Sequence, residues 1–309
     1  MAALDGRVAI ITGAAGGIGS AHARFFCSQG AAVVAVDRVP PDALVAELVG
    51  AGGKAIAVGG DVASWDDAHR FVRSAVEAFG DLHVVVNNAG GGPLSLMSAM
   101  TEHDWDVQIS ANLKGTFCCT RAAVDHWLAR REAGHAVAAS VINTTSGAGL
   151  FGNPEASAYG AAKAGVAAFT VISALELRGT GIRVNAVAPA ARTPAVAEAG
   201  DVIARMMGAP DDPDEFDQWH PGNIGPLVGY LATADCPISG EVFHARGGVV
   251  GHFQGWTIGG TLETDRRWTI AEIADRLPAV VAAAPDREQA GGAAYAALRA
   301  ALRTDVLGG

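Results

Sequence analysis

Arg7-Val-Ala-Ile-Ile-Thr12-Gly13-Ala-Ala-Gly16-Gly17-Ile18-Gly19, near the start of the chain, joins an apolar run to a glycine turn. The first six residues are rich in β-branched side chains and read as a buried strand. Residues 20–29 then carry a helical pattern closed by Gly30. Strand, glycine turn and helix in direct succession are what a phosphate-binding loop needs. Glycine lets the backbone approach a pyrophosphate, and the start of the helix offers unpaired N–H groups to it. The expected cradle is Gly13, Gly17, Ile18 and Gly19. Its spacing, G-x-x-x-G-x-G, departs from the usual G-x-G-x-x-G, and an ordinary turn has the same composition.

Residues 32–36 form a second apolar run, with Asp37 at its end, 24 residues after Gly13. A carboxylate there accepts hydrogen bonds from ribose hydroxyls and repels a 2′-phosphate, favouring NAD over NADP. The alternative is a plain turn aspartate. Arg38 beside it has the opposite tendency, since a guanidinium accommodates a 2′-phosphate. A helix over 42–49 and a strand over 54–59 lead to Asp61 and Val62, placed to meet an adenine. Ser64 with Asp67 is spaced as a capping box for a helix to Phe79. A fourth strand, 82–86, runs into Asn87-Asn88-Ala89-Gly90, whose small residues let the backbone pass close to a nicotinamide ribose. Thr101 with Asp104 is a second capping box, for a helix to about Arg130. Asn112 falls inside it, where asparagine is unfavourable, so a kink or a buried hydrogen-bonding role is expected, with plain surface exposure as the alternative.

Downstream, a fifth strand over 137–143 leads to Ser146. Tyr159 and Lys163 then stand four residues apart at the start of an alanine-rich helix reaching Leu177. That spacing puts both side chains on one helix face. A phenol has a reference pKa of about 10, and a neighbouring ammonium pulls it down. Tyrosinate then takes a proton from an alcohol, or tyrosine gives one to a carbonyl, while Ser146 holds the reacting oxygen. An isolated Tyr-x-x-x-Lys is an ordinary exposed pair; the nucleotide-binding start upstream is what gives this one its meaning. A sixth strand, 182–188, ends at Pro189, and a seventh is expected over 241–245.

Composition sets the bounds. The 309 residues can bury a large core, and the net charge of −10 argues against nucleic acid or an anionic membrane as partner. Cys27, Cys118, Cys119 and Cys236 show no metal or redox spacing, and read as reduced thiols of a cytoplasmic protein. A strand beginning by Arg7 leaves no room for a signal peptide. No uninterrupted apolar run of membrane-spanning length is evident. His220, His244 and His252 are too scattered for a metal site.

Taken together, Thr12-Gly13 to Gly19, Asn87 to Gly90, Asn112, Ser146, Tyr159, Lys163 and Arg183-Val-Asn to Pro189 resemble the short-chain dehydrogenase/reductase family, over residues 7 to about 248. The resemblance implies an α/β fold with a doubly wound (Rossmann) sheet, seven-stranded and mostly parallel, with helices on both faces. That domain would span 1–260, with a lid near 190–222 and a C-terminal helical extension over 261–309. Tyr159 would be the acid–base; Lys163 would tune it and hold the nicotinamide ribose. Ser146 would bind the substrate oxygen, and Asn112 would hold a water linking Lys163 to solvent. Pro189 and Thr193 would join the cofactor contacts.

Two departures stand out. Pro189-Ala-Ala-Arg192-Thr193 replaces the usual Pro-Gly, and Arg246 replaces an acid before Gly247-Gly248. In the lid region Val196, Ile203, Met206 and Met207 are expected pocket or lid-helix residues, and the acidic run 211–217 a solvated face. The tail continues with an extended segment over 249–256, a helix capped by Thr269 and Glu272, and another over 285–303. Gly247-Gly-Val-Val-Gly251 with Trp256 and Trp268 resembles, more loosely, the (3R)-hydroxyacyl-CoA dehydrogenase branch.

The expected activity is NAD-dependent interconversion of a secondary alcohol and a ketone, on a 3-hydroxyacyl-CoA or hydroxysteroid type of small molecule. The alternatives are an NADPH-dependent 3-oxoacyl reductase, and a non-catalytic NAD-binding scaffold whose site would lack Ser, Tyr or Lys. The many small residues of the Tyr159 helix, with Phe117 and Trp127 on the Asn112 helix, point to a homo-oligomer, a dimer or a tetramer.

Overall fold

The computed structural model describes residues 2–193, 207–212 and 214–284. The chain divides into two units, Met1–His252 and Phe253–Gly309. The first alternates strand and helix: β1 (Val8–Thr12), α1 (Gly17–Ser28), β2 (Ala32–Asp37), α2 (Asp42–Gly50), β3 (Lys54–Gly59), α3 (Trp65–Phe79) and β4 (Val84–Asn87). Next come α4 (Glu102–Gln108), a π-helical turn (Ile109–Lys114), α5 (Gly115–Glu132), β5 (Ala139–Thr144), α6 (Gly147–Phe151), α7 (Ser157–Glu176) and β6 (Ile182–Pro189). A 3₁₀ turn (Pro221–Ile224), α8 (Gly225–Ala232), β7 (Val242–Arg246) and β8 (Val249–His252) complete it.

The strands form one sheet in the order β3-β2-β1-β4-β5-β6-β7-β8. All neighbours are parallel except β7 and β8. Parallel strands covered on both faces must be apolar throughout, and β1, β2 and β5 are buried almost without a break. One face is filled by Phe26, Leu44 and Leu231, from α1, α2 and α8. The other is filled by Phe71, Cys118 and Trp127, from α3 and α5. Each large side chain removed from water in this way contributes about 1.5–3 kcal/mol before entropy is counted. The order reverses between β1 and β4, and the crevice beyond such a switch point is where open α/β sheets bind ligands.

Several expectations change here. The sheet has eight strands, not seven: Gly247, at φ +50°, and Gly248 turn the chain back, so Arg246 faces Val249 across an antiparallel hairpin. Trp127 is 2% exposed and donates from its indole to Leu82 O at 2.7 Å, so it belongs to the core and not to an outer face. The cap at Ser64 is half a capping box. Ser64 accepts from Asp67 N, but the Asp67 carboxylate accepts from Asp61 N and pairs with Arg70. The Thr101–Asp104 box is complete. The helix that it starts is broken by the π turn around Asn112, the kink that an asparagine in this place implies. Residues Ser157–Glu176 are long and apolar enough to cross a membrane, yet Ala162, Lys163, Val166 and Thr170 on that helix are buried in the fold.

In the second unit α9 (Ile270–Ala282) opens with a full capping box between Thr269 and Glu272. Arg266 pairs with Glu272, and the Arg276 guanidinium lies 5.0 Å from the centre of the Trp268 ring. The helix expected over 285–303 lies outside the described residues.

Candidate active site

The glycine turn closes only because side chains are missing from it. Gly13 has φ +67°, a conformation that L side chains rarely adopt, and a Cβ there would lie 2.8 Å from Ala89 Cα. A Cβ on Gly19 would lie 2.0 Å from Gly13 O. Gly16 precedes α1 without a capping side chain, so the N–H groups of Gly17, Ile18 and Gly19 face outward at the start of the helix. Asp37 ties this turn to β2, its Oδ2 accepting Ala15 N–H at 2.9 Å and its Oδ1 accepting Arg38 N–H at 2.8 Å. The Arg38 side chain is exposed. Asp61 Oδ1 accepts Ala63 N–H at 2.9 Å, and Val62 packs where a Cβ on Gly115 would come within 2.6 Å of it.

Thr12 and Asn88 join β1 to β4 behind the turn. The Thr12 hydroxyl accepts Asn88 N–H and Ala89 N–H, both at 3.0 Å, and Asn88 Nδ2 donates to Thr12 O and Gly13 O. An uncapped helix start, a cradle that a Cβ on Gly13 or Gly19 would fill and a carboxylate at the tip of β2 fit a dinucleotide.

Beside the cradle stand the titratable groups. Ser146 caps α6, its hydroxyl accepting Ala148 N–H at 3.2 Å. Tyr159 and Lys163 are one turn apart on α7, with Lys163 Nζ 5.7 Å from the centre of the Tyr159 ring. Lys163 is 3% exposed, donates from Nζ to Thr144 O at 2.8 Å, and burial pulls its pKa down to about 8. Tyr159 departs from expectation in the free chain: burial raises its pKa, and a hydrogen bond with the Ser146 hydroxyl only works against that rise. Desolvation penalises the charged phenolate and is the larger of the two influences. Thr145 Oγ1 donates to Lys163 O at 2.6 Å, pinning α7 to the end of β5.

Asn112 is fully buried in the π turn. Its Oδ1 accepts Gly91 N–H at 3.1 Å, and its Nδ2 is 2.9 Å from Gln108 O, 2.8 Å from Gln108 Oε1 and 3.3 Å from Gly91 O. A Cβ on Gly90 would lie 2.3 Å from Asn112 Oδ1 and 3.2 Å from Lys163 Nζ, so both groups end at the Gly90 backbone. Deeper still, Asn87 Nδ2 donates to Thr120 Oγ1 and Asn143 Oδ1, and Asn143 Nδ2 donates to Thr170 Oγ1. This buried polar chain links β4, β5, α5 and α7 under the site. Gln108 and Asn143 are the members that local pattern misses, while Thr12 and Asn87 stand in the motifs without a role of their own. Asparagines closing two apolar strands are the signal that could have found Asn143.

On the far side Pro189 ends β6, and Arg192 pairs with Asp217, donates to Met207 O at 3.0 Å and takes Trp219 O on its backbone N–H. Asp217 is therefore a half-buried anchor and not part of a solvated face. The Arg246 guanidinium lies 5.2 Å from the Trp219 ring centre. Both departures from the family pattern thus hold one segment, 217–219. Thr193 is half-buried, and Val196, Ile203 and Met206 lie outside the described residues. Of the scattered histidines, His220 caps Gly222 N–H, His244 lies 3.1 Å from Ala188 O and His252 pairs with Glu241.

The profile of a family described as short chain dehydrogenase matches residues 7–201. A 3-oxoacyl-[acyl-carrier-protein] reductase of Synechocystis is 37% identical over 255 residues, covering 81% of this chain and 99% of that protein. Hydroxyacyl-CoA dehydrogenase ChsB1 of Mycobacterium tuberculosis is 36% identical over 255 residues, 79% of this chain and 78% of its own. The crystal structure of a short chain dehydrogenase from Mycobacterium avium superposes with a TM-score of 0.82 at 37% identity, covering 92% of this chain and 97% of that one. With the strand order and glycine cradle already in view, the chain belongs to the short-chain dehydrogenase family, as a nicotinamide-dependent oxidoreductase of CH–OH groups.

Proposed function

We propose that the protein interconverts a secondary alcohol and a ketone with NAD, on a 3-hydroxyacyl-CoA or hydroxysteroid type of substrate, and that it works in the cytoplasm. The observation that carries this reading is the convergence of Ser146, Tyr159 and Lys163 beside the glycine cradle. Gly13, Gly17, Ile18 and Gly19 would hold the pyrophosphate, Asp37 the adenosine ribose, and Asp61 and Val62 the adenine. Asn88, Ala89, Gly90, Lys163, Pro189 and Thr193 would meet the nicotinamide half. When bound, the cofactor supplies the hydride acceptor and, oxidised, a positive charge that offsets burial of the phenol.

The protein's own groups handle the proton. Ser146 donates to the substrate oxygen and holds it beside Tyr159. As phenolate, Tyr159 takes the hydroxyl proton while the carbinol carbon loses hydride. In reduction the same phenol returns the proton to the carbonyl oxygen. Lys163, cationic and 5.7 Å from the ring centre, favours the phenolate, and Asn112 connects Lys163 toward solvent. Reduction of a 3-oxoacyl substrate with NADPH is the second reading, favoured by the exposed Arg38 next to Asp37 and by the named Synechocystis relative.

A panel of 3-hydroxyacyl-CoA thioesters, hydroxysteroids and sugar alcohols, assayed with NAD and with NADP, tests the reading. Tyr159→Phe is expected to bind NAD yet lose turnover by about two orders of magnitude. Near wild-type turnover in that variant would remove the acid–base assignment.

A further inference from the structure

Gln108, the last residue of α4, is fully buried, yet nothing in the proton chemistry above uses it. Its Nε2 donates to Pro93 O at 2.7 Å, and its Oε1 accepts from Asn112 Nδ2 at 2.8 Å. Its backbone carbonyl accepts from the same Nδ2 at 2.9 Å. An amide nitrogen has two protons, and Gln108 offers the two nearest acceptors. With Nδ2 committed to Gln108, Asn112 Oδ1 faces Gly91 N–H and the Gly90 backbone, where Lys163 Nζ also ends. A glutamine in this place is costly unless all of its groups are paired, and here they are. The loop from Gly91 to Pro93 shapes itself to it: a Cβ on Gly92 would come within 2.9 Å of Gln108 Cδ.

We propose that Gln108 is a positioning residue of the acid–base relay, fixing the Asn112 amide with its oxygen toward Lys163 and Gly90. This rests on the acid–base reading of Tyr159 and Lys163. Were the amide to turn, Nδ2 protons would face the Gly91 N–H and the Lys163 ammonium, donors against donors. The ammonium would then be less favoured, the phenolate with it, and Tyr159 would titrate at higher pH.

The test uses Gln108→Met, which fills the same space without the amide, and Gln108→Glu, which as a buried neutral carboxyl keeps both the acceptor and a donor. The chain has three tyrosines, so subtracting Tyr159→Phe isolates the ultraviolet signal of one phenolate, read with NAD bound so that the cofactor's positive charge brings that titration into the range where Lys163 is still an ammonium. Gln108→Met is expected to move that titration up by about 0.5–1 pH unit and to lower turnover of 3-hydroxybutyryl-CoA about tenfold, with KM for NAD changed less than about threefold. Gln108→Glu is expected to stay within about 0.3 unit of wild type, and Gln108→Leu, which also removes the amide, takes the place of the Met variant if that one does not fold. A purely structural role would lower the melting temperature of Gln108→Met and leave the titration where it was, which overturns the proposal. So does a shift of a full unit in Gln108→Glu. If Tyr159→Phe itself turns over normally, the acid–base reading fails instead.

Discussion

Replacing Gly90 by alanine would set a methyl carbon 2.3 Å from Asn112 Oδ1 and 3.2 Å from Lys163 Nζ. Gly90 is not in the left-handed region, so the backbone itself accepts alanine and only space is at issue. A carbon and an oxygen need roughly an ångström more than this, and Asn112 is the group that must give way. It is held by Gly91 N–H, Gly91 O, Gln108 O and Gln108 Oε1. Moving it breaks at least two of these bonds around a fully buried amide, at about 1–2 kcal/mol each. The expected cost is about 2–4 kcal/mol, which lowers the melting temperature of a domain of this size by about 5–15 °C. Because the displaced amide sits against Lys163, turnover should also fall by at least about tenfold. Gly50→Ala is the control: it ends α2 with open space around it, and should be neutral or stabilising by up to about 1 kcal/mol. Thermal melting and steady-state kinetics on the two variants decide the matter. Melting of Gly90→Ala within about 2 °C of wild type, with turnover within about twofold, would refute the steric argument.

Asp37→Ala should narrow an NAD preference of at least about tenfold toward parity, measured as the ratio of kcat/KM for NAD and NADP; a wild type without preference would hand the ribose pocket to Arg38. His22 is buried, its Nδ1 has no partner among the described residues, and burial holds its pKa at about 4. The unfolded chain therefore takes up the extra proton, and stability falls as pH drops from about 6.5 toward 4, by about 2 kcal/mol at pH 5 relative to pH 7. His22→Leu should lose less stability than wild type over that interval in denaturant melts, and equal losses would clear His22 of the effect. Val171, Ile172 and Leu175 on α7 and Phe117 on α5 are exposed, in keeping with a homo-oligomer, most simply a tetramer. Light scattering should show an assembly that Ile172→Glu with Leu175→Glu dissociates; a wild-type monomer at micromolar concentration would end that expectation.

What could be read from sequence was what short spacing encodes. The cradle from Gly13 to Gly19, the pair Tyr159 and Lys163 and the Thr101 and Thr269 capping boxes each need only a few neighbouring residues to be recognised. Gln108 and Arg192 show the opposite case. Gln108 looks like any helix-favouring polar residue, and only the loop at Pro93, fifteen residues back, makes it a buried one. Arg192 and Asp217 meet across a separation of 25 residues that no periodicity spans. Trp127 sits in a helix with charges on either side of it, and its burial is set by Leu82 on another element. The hairpin at Gly247-Gly248 was legible in principle, since paired glycines between β-branched and extended residues favour a reversal. Tyr159 marks a different limit, because its titration depends on how dry the finished pocket is.

The π turn between α4 and α5 amounts to one residue more than a regular helix needs. Chain length is therefore as much a constraint here as residue identity. Deleting any single residue from Ile109–Lys114 would allow an unbroken α-helix with α5 still in phase with the sheet, and what would be lost is the bulge that seats Asn112. Cys118, Cys119, Ala122 and Ala123 would stay against the sheet, while the Asn112 amide would lose its place between Gly91 and Gln108. Point changes along this helix disturb one contact at a time, whereas a single codon lost from the bulge would take the amide out of the site and spare the core face.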